Sequence, residues 1–311
     1  MDALTDDELA AALGQVLPQH WPQLGDAIVG PLGGGMNSAT ARVRGSAGRY
    51  VAKWVPDGLG AALRTGGERA LHVQRATGVP TGPPVPTVAG AVVAPIHGGW
   101  VSLLTEVDGT PLDGATAVQQ ELMARTLAAV HGATTLGRRR GGFLPEALWH
   151  GPQLDVEPWV RTAVGQVLAE YETLAPQPWA TLHTDPAPEA FLLDGGLPAL
   201  IDWTGATDGP VLYDVASAVM YLGGPHRADA FLGAYSDRTG VDLIHLDAMR
   251  RYRQAVQAAY FAQRLAASDR TGLTEPGGNR KGLDDARRGL VALGVIDEPR
   301  AGGQGTPTTT A

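Results

Sequence analysis

The sequence contains no cysteine, which removes disulfides, thiolate metal sites and a cysteine nucleophile from consideration. Basic residues are also scarce: 24 Lys and Arg stand against 32 Asp and Glu, giving a net charge of −8. Nucleic acid is therefore not expected as a partner, because neutralising its phosphates takes clustered cations. The one basic run, Arg138-Arg139-Arg140, lies between glycines and reads as a solvated loop. No apolar run approaches the roughly 18 residues of a membrane-spanning helix. The N-terminus, with Asp2, Asp6, Asp7 and Glu8, is acidic where a secretory signal would be basic. A cytoplasmic protein is expected. The eight histidines never fall at helical ligand spacing. What is present is 311 residues, 44% hydrophobic and 18% charged, which suits a two-lobed globular unit and not a disordered chain.

Thr5-Asp6-Asp7-Glu8 forms a capping-box pattern that predicts a helix to about Leu17. Strands are expected at 27–32, 39–44 and 50–55, in a meander because the turns between them are too short for parallel crossovers. A helix over 67–77 and strands at 92–95 and 100–105 complete a five-stranded antiparallel lobe. Glu106 to Pro111 then reads as a crossing point, after which the hydrophobic period becomes helical. Helices are expected at 115–131, 158–174, 212–221, 228–235 and 246–267, with short strands and loops over 181–203. The C-terminal stretch is low-complexity.

Three constellations carry possible chemistry. Gly33-Gly34-Gly35 lies between two strands; such glycines either let backbone amides approach a phosphate or simply make a hairpin turn. Lys53 sits in Tyr50-Val51-Ala52-Lys53-Trp54-Val55, where alternation puts it on the face of Val51 and Val55. An ammonium there needs an anionic partner, with Glu68 as a candidate, unless that face is solvated. The third pattern is sharper. His183-Thr184-Asp185 precedes one short apolar run, and Ile201-Asp202-Trp203 ends another, with Asp194-Gly195-Gly196 as a turn between them. In a hairpin, position 193 faces 198 and Asp202 falls opposite 189 or 190. Asp185 and Asp202 then share one end, where two carboxylates call for a cation or a proton. Oxygen ligands together with a substrate phosphate suit Mg²⁺.

These motifs resemble the aminoglycoside phosphotransferase family, related to choline and homoserine kinases. The resemblance covers roughly residues 27–265. It includes His183-x-Asp185, Ile201-Asp202-Trp203, Tyr213-Asp214-Val215-Ala216, Gly78-Val79-Pro80 and Leu127 to His131. It implies an α+β, bilobal protein-kinase-like fold with a small antiparallel β N-lobe and a larger, mainly helical C-lobe. The corresponding division is 1–105 for a nucleotide-binding lobe, 106–296 for a catalytic and substrate lobe, and 297–311 for a flexible tail. ATP and Mg²⁺ are the implied cofactors. Gly33, Gly34, Gly35 and Ser38 would form the nucleotide loop, and Lys53, ion-paired with Glu68, would meet the phosphates. Backbone groups of Thr105, Glu106 and Val107 would hold adenine, and Asp202 would bind the metal. Asp185 would orient the acceptor hydroxyl and take its proton, with His183 and Asp214 bracing the loop.

The sequence departs from the family pattern at several positions. Five residues after Asp185, where the family has a metal-binding Asn, stands Ala190; Glu189 is the nearest carboxylate that could take its place. Thr184 replaces the usual Gly, and Pro186 and Pro188 stiffen the loop. The expected activity is ATP-dependent phosphotransfer to a hydroxyl of a small molecule, such as an aminoglycoside-like antibiotic, or of a biosynthetic peptide, and a weakened one if Asp202 alone holds the metal where Ala190 replaces Asn. The alternative is a pseudokinase acting as a binding or scaffold partner. Asp208, Glu275, Asp284 and Asp285 would favour a cationic acceptor, and the helix bearing Tyr252, Tyr260, Phe261 and Arg264 is expected to line or support its cleft.

Overall fold

The computed structural model describes residues 4–32, 35, 37–196, 198–272 and 277–297, in two lobes that meet along a cleft. Helix α1 (Asp6–His20) starts at the capping box: Glu8 N–H donates to the Thr5 hydroxyl at 3.3 Å, and Thr5 N–H donates to the Glu8 carboxylate at 2.9 Å. Its Leu9, Leu13 and Leu17 recur on one face and are buried against a sheet. Burial of this kind contributes roughly 1.5–3 kcal/mol per leucine.

That sheet has five antiparallel strands, β1 (Ile28–Pro31), β2 (Ala39–Gly45), β3 (Gly48–Pro56), β4 (Ala94–Ile96) and β5 (Gly99–Thr105), in the order β1-β2-β3-β5-β4. Along β3, Ala52 and Trp54 pack into the α1 core, while Val55 packs against Leu63 of helix α2 (Gly60–Thr77). Lys53 shares the face of Val55 and so points toward the cleft.

Helix α2 begins at Gly60, well before Gly67. Glycines at 60, 66 and 67 weaken the local helical signal, yet packing requires one of them in particular. A Cβ on Gly66 would lie 2.0 Å from the Trp203 carbonyl oxygen, so α2 meets the other lobe backbone to backbone.

The second lobe contains β6 (Thr110–Pro111), α3 (Ala117–Ala133), β7 (Thr135–Arg139), α4 (Pro158–Thr173), β8 (Gln177–Leu182), β9 (Phe191–Leu193), β10 (Ala199–Leu200), β11 (Thr207–Pro210), α5 (Val211–Tyr221), α6 (Asp229–Thr239), α7 (Leu246–Ala266) and α8 (Gly278–Ala292). Its core gathers residues from all its helices, including Leu127, Val164, Val215, Phe231, Met249, Ala258 and Leu283. The architecture is thus α+β, bilobal and protein-kinase-like, with a small antiparallel β lobe and a larger helical one.

Two sequence expectations are corrected. Arg138 and Arg139 are not in a loop: they close β7, opposite Pro178 and Gln177, with their side chains exposed on a sheet edge. Helix α8 has no counterpart among the expected helices because it starts without a side-chain cap, just after Gly277 at φ 102°. The β9–β10 hairpin has the expected register. Ala199 stands opposite Leu192, Leu200 opposite Phe191, and Ile201 N–H reaches Ala190 O at 2.9 Å. Among the described residues, no helix is long and apolar enough to cross a membrane. Residues 298–311, most of the expected tail, lie outside the described residues.

Candidate active site

The loop after β8 is held from beneath. Asp214, fully buried on α5, accepts from His183 N–H at 2.8 Å and Thr184 N–H at 2.7 Å. His131 Nε2 reaches the same carboxylate at 3.1 Å, and the Tyr235 hydroxyl meets His131 Nδ1 at 2.7 Å. His183 is itself buried and donates Nε2–H to Ile201 O at 2.8 Å, tying the loop to the segment that carries Asp202. His183 therefore sits among the braces of the loop and not at its open face. Thr184 and Asp202 adopt left-handed backbone conformations, at φ 77° and φ 68°. This is unusual for side-chain-bearing residues and typical of functional loops.

Lys53 is buried, and its ammonium bonds to the Asp202 carboxylate. The expected Lys53–Glu68 pair is not formed. Gly66 packs on Trp203 and Gly67 on Pro84, which turns the adjacent Glu68 outward into solvent. Burial tends to raise the Asp202 pKa, but the Lys53 charge and hydrogen bond outweigh it, and the carboxyl stays below its ordinary range.

A cleft of about 410 Å³ runs from Lys53 and Asp202 to the segment joining the lobes, between apolar walls that include Val51, Leu104, Leu192 and Ile201. In the joining segment, Thr105 N–H donates to Pro83 O at 3.0 Å and Glu106 N–H to Arg49 O at 3.1 Å. The Glu106 side chain pairs with Arg42 at 2.8 Å. Among the backbone groups expected to face a base, the Val107 amide is the one N–H left uncommitted among the described residues. Gly35 and Ser38 line an adjoining space of about 470 Å³, together with Lys53, Asp185, Glu189 and Asp202. Gly33 and Gly34 lie outside the described residues.

Asp185 stands where this space meets a third, of about 600 Å³, under α7; both include Asp185, Asn37 and Gly205 in their walls. Its Oδ1 accepts from the Tyr221 hydroxyl and from Arg253 Nη2, the latter at 3.1 Å. Arg253 Nε donates in turn to Ser217 Oγ at 2.9 Å. Burial works against the charge of Arg253, but Tyr213, Tyr221 and Asp185 hold its pKa above the ordinary value. Burial also raises the Tyr221 hydroxyl; Arg253 opposes this and Asp185 adds to it, so Tyr221 remains a donor. Both contacts reach one oxygen, and the Asp185 side chain is 59% exposed, which leaves Oδ2 open to the cleft.

Tyr221, Arg253 and Asn37 are site residues that the sequence motifs do not single out, although a signal exists. Arg253, Val256, Gln257, Tyr260 and Arg264 recur at helical spacing, so two arginines interrupt the inner stripe of α7. Tyr260 and Phe261 line the third space as anticipated, whereas Tyr252 is core, 4.5 Å from the Tyr171 ring between centroids. Of the acidic residues expected to face an acceptor, Asp285 lines this space and Asp208 is bonded to Thr181 and Arg69. Asp284 is exposed away from the space, and Glu275 lies outside the described residues.

The donor set suits a metal–triphosphate group better than a free metal. No cluster of three or more His, Asp or Glu occurs among the described residues. Mg²⁺ needs only one or two protein carboxylates when phosphates supply further oxygens. Asp202 and Glu189 line the same space as Lys53; Ala190 lines it too but has no side-chain oxygen.

The profile of the phosphotransferase enzyme family (APH) matches residues 28–267, and the chain belongs to this family. It is 33% identical over 144 residues to a homoserine kinase of Xanthobacter autotrophicus, covering 43% of this chain and 45% of that protein. It is 26% identical over 208 residues to a homoserine kinase of Caulobacter vibrioides, covering 61% and 66%. The matches thus span about half to two thirds of the length of these curated relatives. Among solved structures, the choline kinase LicA from Streptococcus pneumoniae is similar with a TM-score of 0.68 at 18% identity, over 90% of this chain and 99% of that one. Amicoumacin kinase hAmiN is similar with a TM-score of 0.68 at 13% identity, over 89% and 91%. Spectinomycin phosphotransferase APH(9)-Ia gives 0.63 at 13%, over 93% and 98%. These structural likenesses establish the shared fold.

Proposed function

We propose that the protein transfers the γ-phosphoryl group of ATP to a hydroxyl of a small molecule or peptide. The observation that carries this reading is the position of Asp185. One of its oxygens is fixed by Tyr221 and Arg253, and the other is open at the junction of the Lys53–Asp202 cleft and the space under α7. The open oxygen can orient an acceptor hydroxyl and take its proton as the acceptor oxygen bonds to the γ-phosphorus. The bond from that phosphorus to the bridging oxygen breaks, and its electron pair leaves with ADP.

Lys53 would neutralise phosphate charge once it exchanges Asp202 for nucleotide, and Val107 N–H would meet the base. Asp202 would hold Mg²⁺, which when bound draws charge from the phosphates. Glu189, which lines the same space, would supply the oxygen that Ala190 cannot. Family membership supports this reading. So do the names of the relatives, since homoserine, choline and spectinomycin all bear hydroxyls.

The test compares Mg·ATP binding and ADP release for wild type, Asp185→Ala, Glu189→Gln and Ala190→Asn. Turnover that is lost in Asp185→Ala and raised in Ala190→Asn supports the enzyme. A protein that binds no nucleotide and shows no Asp185-dependent turnover is instead a binding partner built on the same fold.

A further inference from the structure

The space under α7 has a definite chemical character. Leu144, Leu148, Met220 and Val256 give it apolar walls over the buried Tyr213 and Phe261, and Tyr221 and Tyr260 add ring surface. Three charged residues reach it among the described residues: Asp185, Arg253 and Asp285. Each is ion-paired, Asp185 through Oδ1 alone. Asp185 is paired with Arg253, and Arg253 is further committed to Ser217. Asp285 is paired with Arg288 on α8. A polyamine entering here would meet only carboxylates already engaged by arginine, among apolar walls, and would lose its water. An anion would have to take Arg253, itself buried, from the exposed carboxylate it fixes. At about 600 Å³, the space suits a drug-sized ligand held mainly by apolar and aromatic contact.

Resting on the phosphotransfer reading above, we infer that the acceptor is a hydroxyl compound with an apolar, ring-bearing body and little or no net charge. A polycationic amino sugar does not fit this cleft. Asp185 serves the reacting hydroxyl, the partly exposed Tyr221 and Tyr260 offer ring surface, and the leucines, Met220 and Val256 take the remaining apolar surface.

Titration calorimetry can decide this on protein loaded with Mg²⁺ and the non-hydrolysable β,γ-imido analogue of ATP. Two probe sets matched for molecular mass are compared: neutral aryl alcohols, and polyamino sugars such as kanamycin. The expected result is that the tightest aryl alcohol binds at least tenfold more tightly than any polyamino sugar. Tyr260→Ala should weaken it about tenfold, and Val256→Glu, which adds an unpaired carboxylate, should narrow or invert the ranking. Polyamino sugars binding as tightly as the aryl set, or neither set binding, would overturn the inference. The same titrations without nucleotide keep the two readings apart. Failure to bind the ATP analogue counts against phosphotransfer, while the ranking on unloaded protein still decides the preference of the cleft.

Discussion

Tyr260 on α7 donates its hydroxyl to Asn37 Oδ1 at 2.6 Å across 223 positions of sequence, joining the turn before β2 in one lobe to α7 in the other. Arg264 reaches the same oxygen with Nη1, and its Nε donates to Asn279 of α8 at 2.8 Å. Under the proposed function these bonds hold a wall of the space that also contains Lys53 and Asp202, where the phosphates would lie. Replacing Asn37 by Ala removes both at once, each worth about 1 kcal/mol net. The nucleotide dissociation rate of Asn37→Ala, followed by stopped-flow fluorescence, is expected to rise about fivefold or more, and that of Tyr260→Phe by less.

Asp214 carries three hydrogen bonds with no exposure to solvent. Asp214→Ala leaves two backbone amides and His131 without their acceptor. Loss of about 3–5 kcal/mol in urea denaturation is expected, by analogy with breaking one side of a buried pair.

Thr184 provides a backbone test. Its hydroxyl donates to Gly205 O at 3.1 Å while its φ is 77°. Thr184→Ala loses the hydroxyl and keeps the strain; Thr184→Gly loses the hydroxyl and relieves it. The Gly variant should therefore be more stable than the Ala variant by about 1 kcal/mol, read from paired denaturation curves.

Gly66→Ala forces a methyl into the Trp203 carbonyl, which is backbone and cannot swing aside. A stability loss of about 3 kcal/mol is expected. Because Trp203 adjoins Asp202, weaker Mg·ATP binding should accompany it in calorimetry. Gly67→Ala, which meets only the Pro84 side chain at 3.1 Å, should cost less.

The Lys53–Asp202 pair predicts a pH dependence. The folded Asp202 pKa lies below its ordinary 3.8, so the pair's contribution is fully present above that value and is lost as pH falls through the depressed one. The difference in melting temperature between wild type and Asp202→Asn should be constant near neutrality and shrink in acid below that ordinary value.

Much of this site is legible in the sequence because its determinants are local. The His183–Asp185 and Ile201–Trp203 motifs lie on one hairpin whose turn fixes its register, so residue spacing by itself brings Asp202 opposite the Glu189–Ala190 pair. Contacts between lobes have no such local signature. The Lys53–Glu68 pairing fails because the side α2 presents depends on Gly66 meeting Trp203, a packing fact absent from local pattern. Asn37 reads as an ordinary loop residue until α7 brings Tyr260 and Arg264 to it. Arg253 is visible as a charge on an apolar stripe, but only the fold shows that its partner is Asp185.

Lysine occurs at only two positions in the chain, 53 and 281. One is buried beneath a carboxylate at the floor of the cleft, and the other is exposed on α8. Amine chemistry therefore divides the protein into a guarded site and an open one. The ratio of acylation at the two, read in a single mass spectrum, would follow occupancy of the cleft with its own internal reference. No label or engineered residue would be needed.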